Sequence, residues 1–235
     1  MLAHLTVTTP TGGFVQGDRV LIELEVATGA AAHVTSQSAA RAYRCVDERE
    51  IEQQVRLVAG PESLLEWWPD TLIPYAGTRL AQSVHVTAPP SATVLIADTW
   101  LAGRVARGEV HQYDQLRFET SLTRPDGTLE FIDRARFRGS PSGVDSAGIL
   151  SSARACGSFF FLGERCLGGL QQAILSVLDE WQGTAGVSVL PSSCGLVVRA
   201  LCSSSDELRG LQWGLLWSTR QVLFGRGAEG AARLC

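Results

Sequence analysis

Glu50-Ile51-Glu52-Gln53-Gln54-Val55-Arg56-Leu57 is the stretch on which the fold turns. Ile51, Val55 and Leu57 fall on one face of an extended chain. Glu50, Glu52, Gln54 and Arg56 fall on the other. A period of two with charge on one side marks a strand with one wet face and one buried face. The same alternation occurs at residues 20–26, where Val20, Ile22, Leu24 and Val26 share a side. It returns at 79–87 with Leu80, Val84 and Val86, and at 115–123 with Leu116, Phe118 and Leu122. Residues 93–97 are apolar on both sides and predict a fully buried strand. Pro125-Asp126-Gly127 is turn chemistry between two alternating runs, so residues 115–137 predict a hairpin.

The last third changes period. Leu167, Leu170, Ile174, Leu178 and Trp181 recur at helical spacing. Ser204 with Glu207 three residues on is a capping-box pattern that starts a second helix, striped by Leu208, Leu211, Leu215 and Val222. Residues 187–190 and 196–201 predict two strands between these helices. The run 139–148, Gly-Ser-Pro-Ser-Gly-Val-Asp-Ser-Ala-Gly, is a loop by composition. Residues 1–225 therefore form one domain, with a strand-rich part at 1–138 and a mixed part with two helices at 149–225. Residues 226–235 are expected to be a flexible tail. The fold class is mainly β with about two C-terminal α-helices. Periodicity alone does not choose between sandwich, barrel and β-helix.

The 235 residues are 45% hydrophobic and 19% charged with a net charge of -4, so nothing draws the chain to nucleic acid. All 20 basic residues are Arg. No stretch is long and apolar enough for a membrane span, and the first ten residues lack a signal-peptide core. These features predict a cytoplasmic chain with no membrane contact. The six cysteines include no CxxC pair, which argues against a zinc ribbon and for buried free thiols.

No nucleophile elbow, phosphate loop, zincin helix or dinucleotide fingerprint occurs. His4, His33, His85 and His111 do not pair at metal-ligand spacing in the sequence. The carboxylates carry more information. Asp18 follows Gly17 in a turn, where Asp bonds its own backbone. Asp98 ends the apolar run at 94–97, and Asp133 shares a strand face with Leu129, Phe131 and Phe137. A carboxylate on an apolar face is costly unless paired, and Arg104, Arg107, Arg134 and Arg136 are the expected partners of Asp133. The functional alternative is a polar passage through the β-structure. Trp67 and Trp68 are expected in the core. Trp213 and Trp217, four apart on one helical face, are candidates for partner contact.

Several blocks, in order, resemble the UreD (UreH) family of urease accessory proteins. They begin with Pro10-Thr11-Gly12-Gly13-Phe14-Val15-Gln16-Gly17-Asp18 and the run from Val34 through Gln37 to Tyr43-Arg44. Leu64-Leu65-Glu66-Trp67-Trp68-Pro69-Asp70 and Ile73-Pro74-Tyr75-Ala76-Gly77 follow. Asp98, then Gly103-Arg104-Val105-Ala106-Arg107-Gly108-Glu109, then Phe131-Ile132-Asp133-Arg134 and Gly195 to Leu201 complete the series. The resemblance implies a β-helix-like stack of sheets with two helices near the C-terminus. It also implies that the family's first N-terminal strands, which precede the position of His4, are missing from this sequence. Thr11, Gln16, Ala40 and Arg41 depart from the family's usual residues.

By that resemblance the chain is a non-enzymatic maturation scaffold. Its implied partners are UreF, UreG and apo-urease. No cofactor is tightly bound, and nickel is in transit through an internal tunnel. Asp18, Asp98 and Asp133 match the acidic positions expected to line the tunnel or touch nickel. Two alternatives stay open: a docking scaffold without a metal path, and a β-helical carbohydrate-active enzyme with paired carboxylates.

Overall fold

The computed structural model describes residues 2–9, 11–140, 143–146 and 148–225; the expected tail at 226–235 lies outside them. Fourteen strands and two α-helices are described. The strands are β1 (Ala3–Val7), β2 (Arg19–Val26), β3 (Ala31–Ser36), β4 (Ala40–Ala42), β5 (Ile51–Ala59), β6 (Leu64–Trp67) and β7 (Leu72–Pro74). They continue with β8 (Arg79–Thr87), β9 (Thr93–Leu101), β10 (Gln115–Thr123), β11 (Leu129–Arg138), β12 (Ala155–Leu162), β13 (Thr184–Val189) and β14 (Gly195–Cys202). The helices are α1 (Gly169–Glu180) and α2 (Ser205–Phe224).

The strands make two stacked sheets. One has nine strands, ordered β1-β3-β6-β9-β12-β14-β13 with β4 and β7 alongside. The other has five, ordered β11-β10-β8-β5-β2. The chain reaches this arrangement by coiling. Strands β2, β3 and β4 form one coil, and β5, β6 and β7 lie directly against them in parallel. Strands β8 and β9 stack next, again parallel. Contacts between the first two coils join residues 33 apart, as in His33 with Glu66 and Glu23 with Arg56. The hairpin β10–β11 then caps the small sheet, and antiparallel β12, β14 and β13 complete the large one. Among the described residues, strands β1 and β2 form edges of the two sheets.

Burial explains which strands alternate. The small sheet wets its outer face, where Arg56 meets Glu23 and Arg134 meets Glu119. Its strands therefore carry the period-two pattern that Glu50 to Leu57 displays. The large sheet is covered on both faces at its central strands, β6, β9 and β12. Its inner side packs on the small sheet through Val34, Leu65, Val94 and Phe160. Its outer side packs on α1 and α2 through Leu95, Phe159, Phe161, Ile174 and Leu211. This is why β9 extends to Leu101, four residues past the expected end, and why β3, β6 and β12 escaped the alternation test.

The helices form as their spacing predicts. The Ser204 side chain accepts a hydrogen bond from the Glu207 backbone N–H at 3.2 Å, and Glu207 reaches back to Ser203. These bonds satisfy donors that the first helical turn leaves open. Cys45, Cys156, Cys166, Cys194 and Cys202 are buried free thiols, as expected. Burial pushes the Cys166 thiol up to about 12, which makes it inert as a nucleophile. Among the described residues, no helix is long and apolar enough to cross a membrane.

Candidate functional site

The space between the sheets is not uniformly apolar. One cluster fills one end with Val55, Leu57, Val84, Ile96, Phe131 and Phe160. Another fills the opposite end with Ile51, Leu80, Trp100, Leu116, Phe118 and Cys156. Between them, strand after strand turns a polar residue inward. Gln53 sits between Ile51 and Val55, Gln82 between Leu80 and Val84, and Asp98 between Ile96 and Trp100. Ser158 of β12 and Arg199 of β14 share the rung of Asp98, and Thr120 of β10 and Asp133 of β11 stand one inward position beyond Phe118 and Ala135, the residues level with Gln82. Ladder register pairs Gln53 with Gln82, Thr120 with Asp133, and Ser158 with both Asp98 and Arg199, the first two pairs being offset by one inward position because Gln82 faces Phe118.

Two cavities open along this layer. The first, about 300 Å³, is lined by Asp18, Gln37, Gln53, Asp70, Gln82 and Asp98 among others. The second, about 420 Å³, is lined by Asp98, Asp133, Ser158 and Arg199. Asp98 belongs to both and is their buried junction. The three carboxylates singled out in the sequence thus line two adjoining cavities: Asp18 the first, Asp133 the second and Asp98 both.

Each is held differently. Asp18 accepts the Val15 backbone N–H at 2.9 Å, the turn bond its position predicts. Asp98 accepts one hydrogen bond from the Gln82 amide at 3.0 Å. Burial pushes its carboxyl up to about 7; nearby Arg199 opposes the rise, and the Asp133 charge adds to it. Asp133 is paired with the Arg199 guanidinium at 2.5 Å, and Arg199 also reaches Ser158. The expected partners of Asp133 are therefore corrected. Arg134 serves Glu119 and Arg136 serves Gln115, because residues an odd number apart on a strand point to opposite faces, while Arg104 and Arg107 lie in the turn after β9, where Arg104 serves Glu109. The true partner comes from the facing sheet, 66 residues away in sequence.

The resemblance-bearing residues make a second, structural group. Tyr43 packs edge-on against Tyr75 at 5.0 Å. The Arg104 guanidinium lies 3.9 Å over the Tyr75 ring and is bonded to Glu109. Glu109 also faces the Ala76 N–H at 3.3 Å. Gly103 sits at φ 135°, and a Cβ there would lie 2.5 Å from the Glu109 carbonyl. Gly13 admits the Arg41 carbonyl to within 2.4 Å of where its own Cβ would be. Gly12, Gly17 and Gly108 occupy neighbouring turns, and Arg44 packs over Gly77. This clasp ties three coils together at one corner.

Glu66 is fully buried on the helix side of the large sheet. It accepts bonds from His33 Nδ1 at 2.7 Å and from Arg220 Nε at 3.0 Å. Burial raises its pKa, but the hydrogen bonds from His33 and Arg220 outweigh that and hold it below the ordinary range. Arg220 is the α2 residue that pins the helix to the sheet, and sequence spacing gave no sign of it. Trp67 and Trp68 are buried as expected; Trp213 is 42% exposed and Trp217 half-buried. His85 bonds Ser121, and His111 bonds the Ala153 carbonyl and lies 3.2 Å from the Tyr113 hydroxyl. Among the described residues no group of three or more His, Cys, Asp or Glu side chains is placed to hold a metal.

The sequence model of one family, described as UreD urease accessory protein, matches residues 1–232. Urease accessory protein UreD 2 of Streptomyces griseus subsp. griseus is 35% identical over 233 residues, covering 97% of this chain and 78% of its own length. Urease accessory protein UreD of Cenarchaeum symbiosum is 30% identical over 233 residues, covering 97% and 81%. That of Actinomyces naeslundii is 31% identical over 219 residues, covering 93% and 80%. A match along essentially the whole chain, on a fold of stacked sheets with two late helices, decides the matter: the chain belongs to the UreD family of urease accessory proteins.

Proposed function

We propose that this chain is a non-enzymatic cytoplasmic scaffold that joins the UreF–UreG nickel-delivery complex to apo-urease, and that its polar layer conducts nickel. The observation that carries the reading is Asp98, a carboxylate buried where two inter-sheet cavities meet, with Asp18 and Asp133 on either side. Carboxylates and water hold a borderline cation weakly, which suits transit rather than storage. Nickel is the cargo here, not a resident cofactor. A carbohydrate-active site would need two free carboxyl groups facing an open groove. Asp98 is buried and Asp133 is spent on Arg199, so that alternative has little support.

The test uses co-expression with urease, UreF and UreG. Asp98→Asn and Asp133→Ala leave the complex assembled but lower the nickel content of purified urease. Full nickel loading in both variants refutes the passage. One observation favours docking alone: Arg199 already neutralises Asp133. On that reading Asp133→Asn loses co-purification with UreF instead of nickel. For the docking face the exposed Trp213 indole is the candidate, with Trp217 one turn on. Trp213→Ala lowers capture of UreF without changing the melting temperature of the free chain.

A further inference from the structure

Two histidines that are far apart in sequence meet on the helix side of the large sheet. Parallel pairing of β1 with β3 sets His4 opposite His33. Their ring centroids are 5.4 Å apart and the rings are tilted by 57°. His33 is buried; His4 is exposed. The His33 Nδ1 is fixed on the Glu66 carboxylate, which Arg220 grips from the other side. A carboxylate accepts only, so Nδ1 carries a proton and Nε2 is the position left for another partner. A carboxylate behind a histidine, setting its tautomer and orientation, is the usual support for a metal-ligating imidazole. Both rings line a cleft of about 380 Å³ with Thr35, Gln37, Asp70 and Trp213.

We propose that His4 and His33 form a two-imidazole site for a borderline divalent cation such as Zn2+ or Ni2+. Two rings sharing an ion at metal–nitrogen distances of roughly 2.0–2.1 Å have centroids roughly 5 Å apart, close to the separation present here. Imidazole suits these cations better than calcium or magnesium, which prefer oxygen. Glu66 and Arg220 cancel each other's charge, and Asp70 and Arg209, 4.0 Å apart in the same cleft, offset each other too, so the ion meets a locally neutral wall. Water fills the remaining ligand positions. The two imidazoles lie on the helix side, away from Asp98: Glu66 and its neighbour Trp67 point to opposite faces of β6, one to the helices and one to the small sheet, while Gln37 and Asp70 line both this cleft and the first inter-sheet cavity. The two assignments are told apart by their readouts: histidine ring shifts report this site, and the nickel content of urease in the Asp98 and Asp133 variants reports the passage.

The probe is Zn2+ added to the full chain, followed by nitrogen-15 shifts of the histidine rings and by calorimetry. Only four histidines need assignment. A ring nitrogen of His4 and Nε2 of His33 shift together and saturate at one equivalent, while His85 and His111 do not move. His4→Gln, an exposed edge substitution, lowers Zn2+ affinity about tenfold or more and leaves the His33 ring unshifted on addition of metal. A His4 shift with His33 unchanged overturns the site, as does an unaltered isotherm in His4→Gln.

Discussion

Replacing Asp98 by Asn turns the burial of that carboxyl into a measurable slope. In the folded chain the group ionises only near pH 7, whereas an exposed Asp ionises below 4. The stability tied to protonated Asp98 is therefore whole below the ordinary carboxyl range, drains as pH rises, and is gone above about 7. A rise of about three pH units corresponds to roughly 4 kcal/mol. Asn cannot ionise and keeps a partner for the Gln82 amide, so the variant escapes this loss. Asp98→Asn should thus gain on the parent chain by roughly 3 kcal/mol between about pH 5 and about pH 8. Urea unfolding of both proteins at a series of pH values measures the gap. A gap that stays constant across that range would refute the argument that burial dominates over the Arg199 charge.

Other substitutions probe the supports around the layer. Arg220→Met leaves Glu66 buried with only His33, and breaking such a pair costs about 3–5 kcal/mol in chemical unfolding; a loss under about 1 kcal/mol would mean that α2 docks without it. Gly103→Ala forces a side chain into a strained backbone region against the Glu109 carbonyl, costing about 1–3 kcal/mol from strain alone and lowering the melting temperature by several degrees; an unchanged melt would show the turn to be adaptable.

What the sequence revealed follows the wetting of each strand. Val20 to Val26, Glu50 to Leu57 and Gln115 to Phe137 have one solvated face, so their alternation was legible and their strands formed as read. Strand β12 reads Ala-Cys-Gly-Ser-Phe-Phe-Phe-Leu, apolar on both sides, because it is sandwiched by helices and sheet; periodicity has nothing to register there. The polar layer was half visible. Asp133 stood out because a charge on an apolar face is costly. Gln53 and Gln82 break their inward rows in the same way and carried the same signal, but neutral side chains are easier to overlook. Partners across the stack, such as Arg199 for Asp133 and His33 for His4, depend on which coil lies on which. That is a property of registry between strands, not of local spacing.

The coiled path of the first nine strands also sets how the molecule comes apart. Each coil is ordered by its neighbours, so stability is close to a sum of terms passed from one coil to the next. Among the described residues strands β1 and β2 have a neighbour on one side only, whereas β9 lies between β6 and β12. Amide protection should therefore fall in steps from β9 outward to β1 and β2, not drop all at once. The opening His4 provides half of the proposed cation site from the least protected strand, and His33 provides the other half from the next one in. An ion bridging them would stitch the loosest rung to the stack, so cation binding should register first as slower exchange along β1.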